Sequence, residues 1–364
     1  MALDQPASSA QPAFEGLSQA PKVVLHDHLD GGLRASTMVE IAGATGYRGL
    51  PTHDPEELTA RIQEGARRRS LELYLEMFRH TLGVMQTQSA VYRVAAECAQ
   101  DLADDGVVYA EVRFAPELNT GGGLSLDEVV EAALAGFRDG SEGRGIRIGL
   151  LLCAMRNASR SLEIAELVPR YRDRGVVGFD IAGAEAGNPP SDHLAAFDLL
   201  RRAGMPYTIH AGEADGLDSI RDAVHTCGAL RIGHGIRIVD DIGVDGALGP
   251  LAAELLERQV PLEQCPTSNV HIGAAGSIDT HPVGRLFDLG FRVTVNTDNR
   301  LMSGISLTGE FNRTCQAFGW SWPDVRRLTI NAMESAFLPA EQRQEIIDQL
   351  IDPWYAYATT VETG

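Results

Sequence analysis

The sequence predicts an α/β protein, a (β/α)8 TIM barrel with a helical lid between its first and second strands and extra helices at its C-terminal end. Three observations carry this. Short apolar runs rich in Val and Ile alternate with longer helical patterns, glycines mark the returns, and the runs number eight, which suffices to close a parallel barrel. A doubly wound open sheet is the competing architecture.

Taken in order, the runs are "KVVLHDH" (22–28), "GVVYAEVRF" (106–114), "IRIGLLLCA" (146–154), "VVGFDIAG" (176–183), "MPYTIHAG" (205–212), "LRIGHG" (230–235), "VPLEQCP" (260–266) and "RVTVNTD" (292–298). Helical patterns such as 161–175 and 192–204 lie between them, each closed by a glycine stop. One gap is abnormal. About 75 residues separate the first run from the second, far more than a simple βα unit needs. They include the helical stretch 69–86, in which Leu71, Tyr74, Leu75 and Phe78 recur at helical spacing. Such an insertion, roughly residues 35–105, is long enough to be a lid over the carboxyl end of the barrel.

The chain of 364 residues with 44% hydrophobic content can bury one oversized core or two ordinary ones. Residues 1–21 read as a flexible tail without a signal peptide, and 22–364 as a single barrel domain. A net charge of −19 repels phosphate backbones and anionic membranes, and no window approaches a membrane span, so neither nucleic acid nor membrane is an expected partner. The sequence leaves the oligomeric state open. Five dispersed cysteines without a Cys-x-x-Cys clip read as reduced core thiols of a cytoplasmic protein.

The polar residues at the strand ends point to chemistry. His26 and His28 close the first run on one face, since strand period is two. His210 closes the fifth with Glu213 three residues on, His234 closes the sixth, and Asp298 closes the eighth. Any one such histidine is more often a packing residue, but imidazoles and a carboxylate converging at the carboxyl ends of one barrel make a nitrogen and oxygen metal site. The histidines at 53, 80, 193, 225, 271 and 281 fall in helices or loops and read as surface or local hydrogen-bonding groups.

These residues also resemble the adenosine deaminase family of the amidohydrolase barrels, over nearly the whole chain. "LHDHLDG" looks like its first metal motif, "AGAE" like its substrate-glycine segment, "HAGE" like its ligand-plus-acid motif, and "RIGHG", "CPTSN" and "NTDN" like its later motifs. The resemblance implies one Zn2+ per chain held by His26, His28, His210 and Asp298. It implies proton work by Glu213 and His234, with Asp298 also touching the reacting water. Gly183 and His28 would meet the substrate, Asp30 the ribose, and the lid helix would carry Leu71, Tyr74, Leu75 and Phe78. Two-metal relatives commonly bridge their ions with a modified lysine ending strand four. Here that strand ends "FDIAG" and the only lysine is Lys22, so a single ion is expected.

The implied activity is hydrolytic deamination of adenosine and 2′-deoxyadenosine, a small-molecule purine nucleoside being the partner. An adenine nucleoside with a modified 5′ end, such as aminodeoxyfutalosine or methylthioadenosine, is the alternative, and a catalytically dead binding barrel is a third. Where the family commonly continues with a second aspartate and a proline, this chain has Asn299 and Arg300. An aspartate must be protonated to donate to purine N7, whereas an asparagine amide donates at any pH.

Overall fold

In the computed structural model, which describes residues 15–362, all eight expected strands form. They are β1 (Lys22–His28), β2 (Val107–Phe114), β3 (Arg147–Met155), β4 (Val176–Ala182), β5 (Thr208–Ala211), β6 (Arg231–His234), β7 (Leu262–Gln264) and β8 (Val293–Val295). Parallel pairing runs β1-β2-β3-β4 and β5-β6-β7-β8. Single parallel bridges join these sets at both seams, Phe179 with Tyr207 and Asp27 with Asp298, so the eight strands form a TIM barrel.

The last four strands are shorter than their apolar runs. β8 ends at Val295, so Asp298 lies beyond it and does not close the ladder as expected. Its backbone is left-handed (φ 58°), a conformation that ends strand pairing. Even so, Asp298 N donates to His26 O at 2.9 Å and accepts at its own carbonyl from His28 N at 2.7 Å. The Asp298 backbone is thereby wedged between the two strand-one histidines.

Between β1 and β2 the chain forms α1 (Ala35–Thr45), α2 (Pro55–Ala66), α3 (Leu71–Leu75), α4 (Phe78–Val84) and α5 (Gln88–Asp104). The stretch 69–86, expected as one helix, is two. Ser70 caps α3 by accepting from Leu73 N at 3.3 Å. The chain then breaks at Glu76–Met77, where Met77 turns inward against Gly65, a position with no room for a side chain. The tail expectation also needs amending. Residues 1–14 lie outside the described residues, but Leu17 and Ala20 are buried. Lys22 Nζ donates to Leu17 O at 2.9 Å and Ala20 O at 2.8 Å, so this turn is pinned to the barrel. All five cysteines are buried and free. Among the described residues no helix is long and apolar enough to cross a membrane.

The barrel interior is charged as well as apolar. Arg113 on β2 is fully buried, with Nη1 2.5 Å from Asp180 Oδ2 on β4 and Nη2 3.1 Å from Glu263 Oε2 on β7. Arg231 on β6 reaches Glu263 Oε1 at 2.6 Å and Glu111 Oε2 at 2.5 Å. Burial alone would raise both acids, yet His210 and Arg113 hold Asp180, and Arg113 and Arg231 hold Glu263, well below the usual carboxylate range. Removing one partner from such a buried network strands the others. Arg113→Met should therefore lower the unfolding free energy by about 3 to 5 kcal/mol in urea titration. An unchanged midpoint at unchanged slope would show that Asp180 and Glu263 do not depend on this guanidinium.

Candidate active site

The carboxyl ends of the strands bring the expected residues to one cavity. His210 Nε2 lies 3.3 Å from His28 Nε2, and Asp298 Oδ1 lies 3.4 Å from Nε2 of both His26 and His28. One ligand atom each from His26, His210, His234 and Asp298 falls within a 4.8 Å span, a buried group with the donor types and spacing of a metal site. His28, the ligand the sequence offers in place of His234, lies beside it at 3.3 to 3.4 Å from His210 and Asp298. Glu213 Oε1 sits 3.4 Å from His234 Nε2. Gly183 and Asn299 line the same cavity, and Leu71, Tyr74, Leu75 and Phe78 cover it. Asp30 does not line it. That carboxyl is buried in the turn after β1 with Oδ1 lacking a protein partner, and burial, then Asp298, push its pKa up to about 7.

Two of the four left-handed non-glycine residues among the described residues fall here, the others being Arg69 and Gln259. His234 (φ 60°) and Asp298 (φ 58°) are non-glycine residues in the left-handed region, a cost tolerated where a side chain must be aimed. The glycine pair that ends "HDHLDGG" has a steric reason. A side chain at Gly31 would strike the Asn299 amide, and one at Gly32 would come 2.5 Å from Arg300 Nη2. Arg300 in turn pairs with Asp27 at 3.0 Å, on the opposite face of β1 from the two histidines.

Several residues that sequence reasoning missed orient the expected ones. His26 Nδ1 contacts Glu263 Oε2 at 2.9 Å, and His210 Nδ1 contacts Asp180 Oδ2 at 2.9 Å. Glu263 accepts the His26 Nδ1 proton and leaves Nε2 free toward the cluster, the usual support behind a ligating histidine, while Asp180 stands beside His210 Nδ1 in ion-pair contact without an aligned hydrogen bond. His26 Nε2 is buried without a hydrogen-bond partner, as a waiting metal ligand would be. Ser268 Oγ donates to Asp298 Oδ2 at 2.5 Å. Glu185, the last residue of "AGAE", gathers the "HAGE" loop by accepting from the backbone N–H groups of Gly212, Glu213, Ala214 and Asp215 and from Ser219 Oγ. Asp180 and Glu263 were visible as acids in otherwise apolar strands; nothing in the sequence named their partners.

The same surroundings divide the protons. Burial, then the nearby charges of Asp298 and Glu185, raise Glu213 well above the usual carboxyl range, which favours its protonated form. Asp298 goes the other way. Burial opposes its charge, but the His26 hydrogen bond and the surrounding imidazoles keep it well below its ordinary value. Two acids whose pKa values are pushed in opposite directions beside one cluster suit acid–base chemistry.

Comparisons with known proteins agree with this geometry. A family model described as adenosine deaminase matches residues 21–353. An adenosine deaminase of Mycolicibacterium vanbaalenii is 56% identical over 352 residues, covering 94% of this chain and 97% of the relative. That of Mycobacterium avium is 57% identical over 356 residues, with the same coverage. Among solved structures, an adenine deaminase from Arthrobacter aurescens superposes with a TM-score of 0.83 at 26% identity, covering 92% of this chain and 99% of that one. The Arabidopsis N6-mAMP deaminase gives 0.80 at 27% identity, covering 92% and 98%. The chain belongs to the adenosine deaminase family.

Proposed function

We propose that this protein hydrolytically deaminates adenosine and 2′-deoxyadenosine to inosine and 2′-deoxyinosine, releasing ammonia. One observation carries the proposal: Glu213 Oε1 lies 3.4 Å from His234 Nε2 in the cavity that Asp298, His28 and His210 also line, with burial pushing the Glu213 carboxyl up and the imidazoles holding Asp298 down. The names adenine deaminase and N6-mAMP deaminase imply substrates that differ both beyond the purine and at the leaving amine, so the shared element is displacement of the amine at C6. Relatives above 55% identity carry the adenosine deaminase name, which favours adenosine over a 5′-modified nucleoside.

The donor set fits one Zn2+ per chain, since His26 presents a partnerless Nε2, the Nε2 atoms of His210 and His28 lie 3.3 Å apart beside it, and Asp298 adds a carboxylate. Bound there, zinc supplies a Lewis acid that lowers the pKa of water toward about 7. Purine binds between Gly183 and Asn299. Gly183 is left-handed (φ 107°) and has no side chain to hold the ring away. Asn299 offers its amide to N7.

As the water oxygen bonds to C6, the C6–N1 π pair moves onto N1, which takes the Glu213 proton. The C6–N6 bond then breaks and ammonia leaves with one proton of that water; the other restores Glu213. His234 and Asp298 flank the water, and the apolar lid residues exclude bulk solvent.

Comparing kcat/KM for adenosine, 2′-deoxyadenosine, adenine and 5′-modified adenosines tests the substrate, with the first two expected to lead. Preference for a 5′-modified nucleoside would replace this proposal. Metal analysis should find about one zinc per chain; a metal-free protein with full activity would remove the ion from the mechanism. Glu213→Gln keeps shape but not the transferable proton, so kcat should fall by roughly 10² to 10⁴ with KM and zinc content near those of the parent. Loss of zinc or a raised KM alone would make Glu213 a ligand or binding group. Asn299→Asp should add an alkaline limb to the kcat/KM profile, because a carboxylic acid donates to N7 only while protonated. An unchanged profile would place Asn299 away from the ring.

A further inference from the structure

His281, set aside in the sequence as a local hydrogen-bonding group, is buried and caps the helix Pro282–Asp288. Val283 N donates to His281 Nδ1 at 3.1 Å. A backbone N–H can only donate, so this Nδ1 carries a lone pair and the ring proton is on Nε2. Burial pushes His281 down to about 3, which keeps the ring neutral. Its Nε2–H lies 3.2 Å from Asn269 Oδ1. That contact decides which end of the Asn269 amide is oxygen, an assignment otherwise left to the surrounding network. The other end, Asn269 Nδ2, lies 3.2 Å from His234 Nδ1.

From this relay we infer that Asn269 and His281 are positioning residues that fix the tautomer of His234. Val283 N–H sets His281, His281 sets the Asn269 amide, and the amide donates to His234 Nδ1. A neutral His234 then carries its proton on Nε2, the atom that faces Glu213 and the cavity. It presents a hydrogen-bond donor to the reacting centre. It has no lone pair there to bind the metal or to take the proton of water, and it stabilises charge growing on the oxygen that adds to C6.

The catalytic half of this inference rests on the proposed deamination; the tautomer itself does not. Asn269→Asp replaces the donor by an isosteric acceptor, and a carboxylate there draws a proton onto His234 Nδ1. Nitrogen-15 NMR of histidine-labelled holoenzyme should show His234 protonated on Nε2 in the parent and on Nδ1 in the variant. For the variant, kcat for adenosine should fall by roughly 10² to 10³, the loss expected for one charge-stabilising donor, with KM and zinc content near parental values. His281→Ala should lower kcat in the same direction. His281→Gln, whose amide can both accept from Val283 N–H and donate to Asn269, should recover kcat to within about threefold of the parent.

Protonation of the parent His234 on Nδ1 would overturn the inference. So would an Asn269→Asp variant that swaps the tautomer without losing kcat, or one that loses its zinc along with its activity. A parent enzyme that fails to deaminate adenosine would sink the functional proposal instead, and the NMR arm would still report the tautomer.

Discussion

One guanidinium stands behind the site. Arg113 lies at the centre of the barrel and joins Asp180 on β4 to Glu263 on β7. Each of those carboxylates stands against the Nδ1 of one histidine, Asp180 in ion-pair contact with His210 and Glu263 in a hydrogen bond with His26. The strands carrying the two rings belong to different four-stranded sets, so no run of ladder bonds relates them directly. The arginine does. A buried ion network of this kind is a poor source of stability compared with apolar packing of the same volume, because desolvating the charges offsets much of their attraction. Its place in the fold is better explained by orientation: imidazoles backed by fixed carboxylates are held with one nitrogen bare and aimed.

The seam between β8 and β1 supplies the second constraint. The two strands meet at their carboxyl ends through the Asp298 backbone, which bonds to His26 and His28 while its side chain turns to the same imidazoles. Closing the barrel and building the cluster are here the same contacts. The left-handed backbone at Asp298 and His234 is local strain held by the surrounding barrel. Beside them, Gly31 and Gly32 leave the room that Asn299 and Arg300 occupy. A substitution at 299 or 300 is therefore also a question about the turn after β1.

Much of this was legible in the sequence, for definite reasons. Apolar runs of strand length located all eight strands, and period two placed His26 and His28 on one face. The later strands were overread because their apolar residues continue past the last ladder bond, into backbone that turns to aim His234 and Asp298. At Glu76–Met77 the lid passes through a turn of i,i+3 bonds with Met77 packed against Gly65, eleven or twelve residues away, a contact helical periodicity cannot see. Leu17 and Ala20 looked like tail because the buried lysine that anchors them is recognisable only once its burial is known. Asp180, Glu263, Asn269 and His281 escaped notice as a set because each acts through a partner far away in sequence.

The partners also explain how one residue type serves two purposes in one cavity. His26 and His210 are backed by carboxylates, Glu263 accepting the His26 Nδ1 proton and leaving a lone pair facing inward, and Asp180 in ion-pair contact with His210 Nδ1. His234 is backed by an amide donor, which occupies its Nδ1 lone pair and leaves a proton facing inward. The first arrangement suits a metal cation; the second suits an oxygen gaining negative charge. Strand-end position alone makes these imidazoles equivalent, and their rings crowd together with centroids 4.5 to 5.2 Å apart. What separates ligand from donor is the hydrogen bond on the far nitrogen, and that bond is set by residues buried behind the cavity.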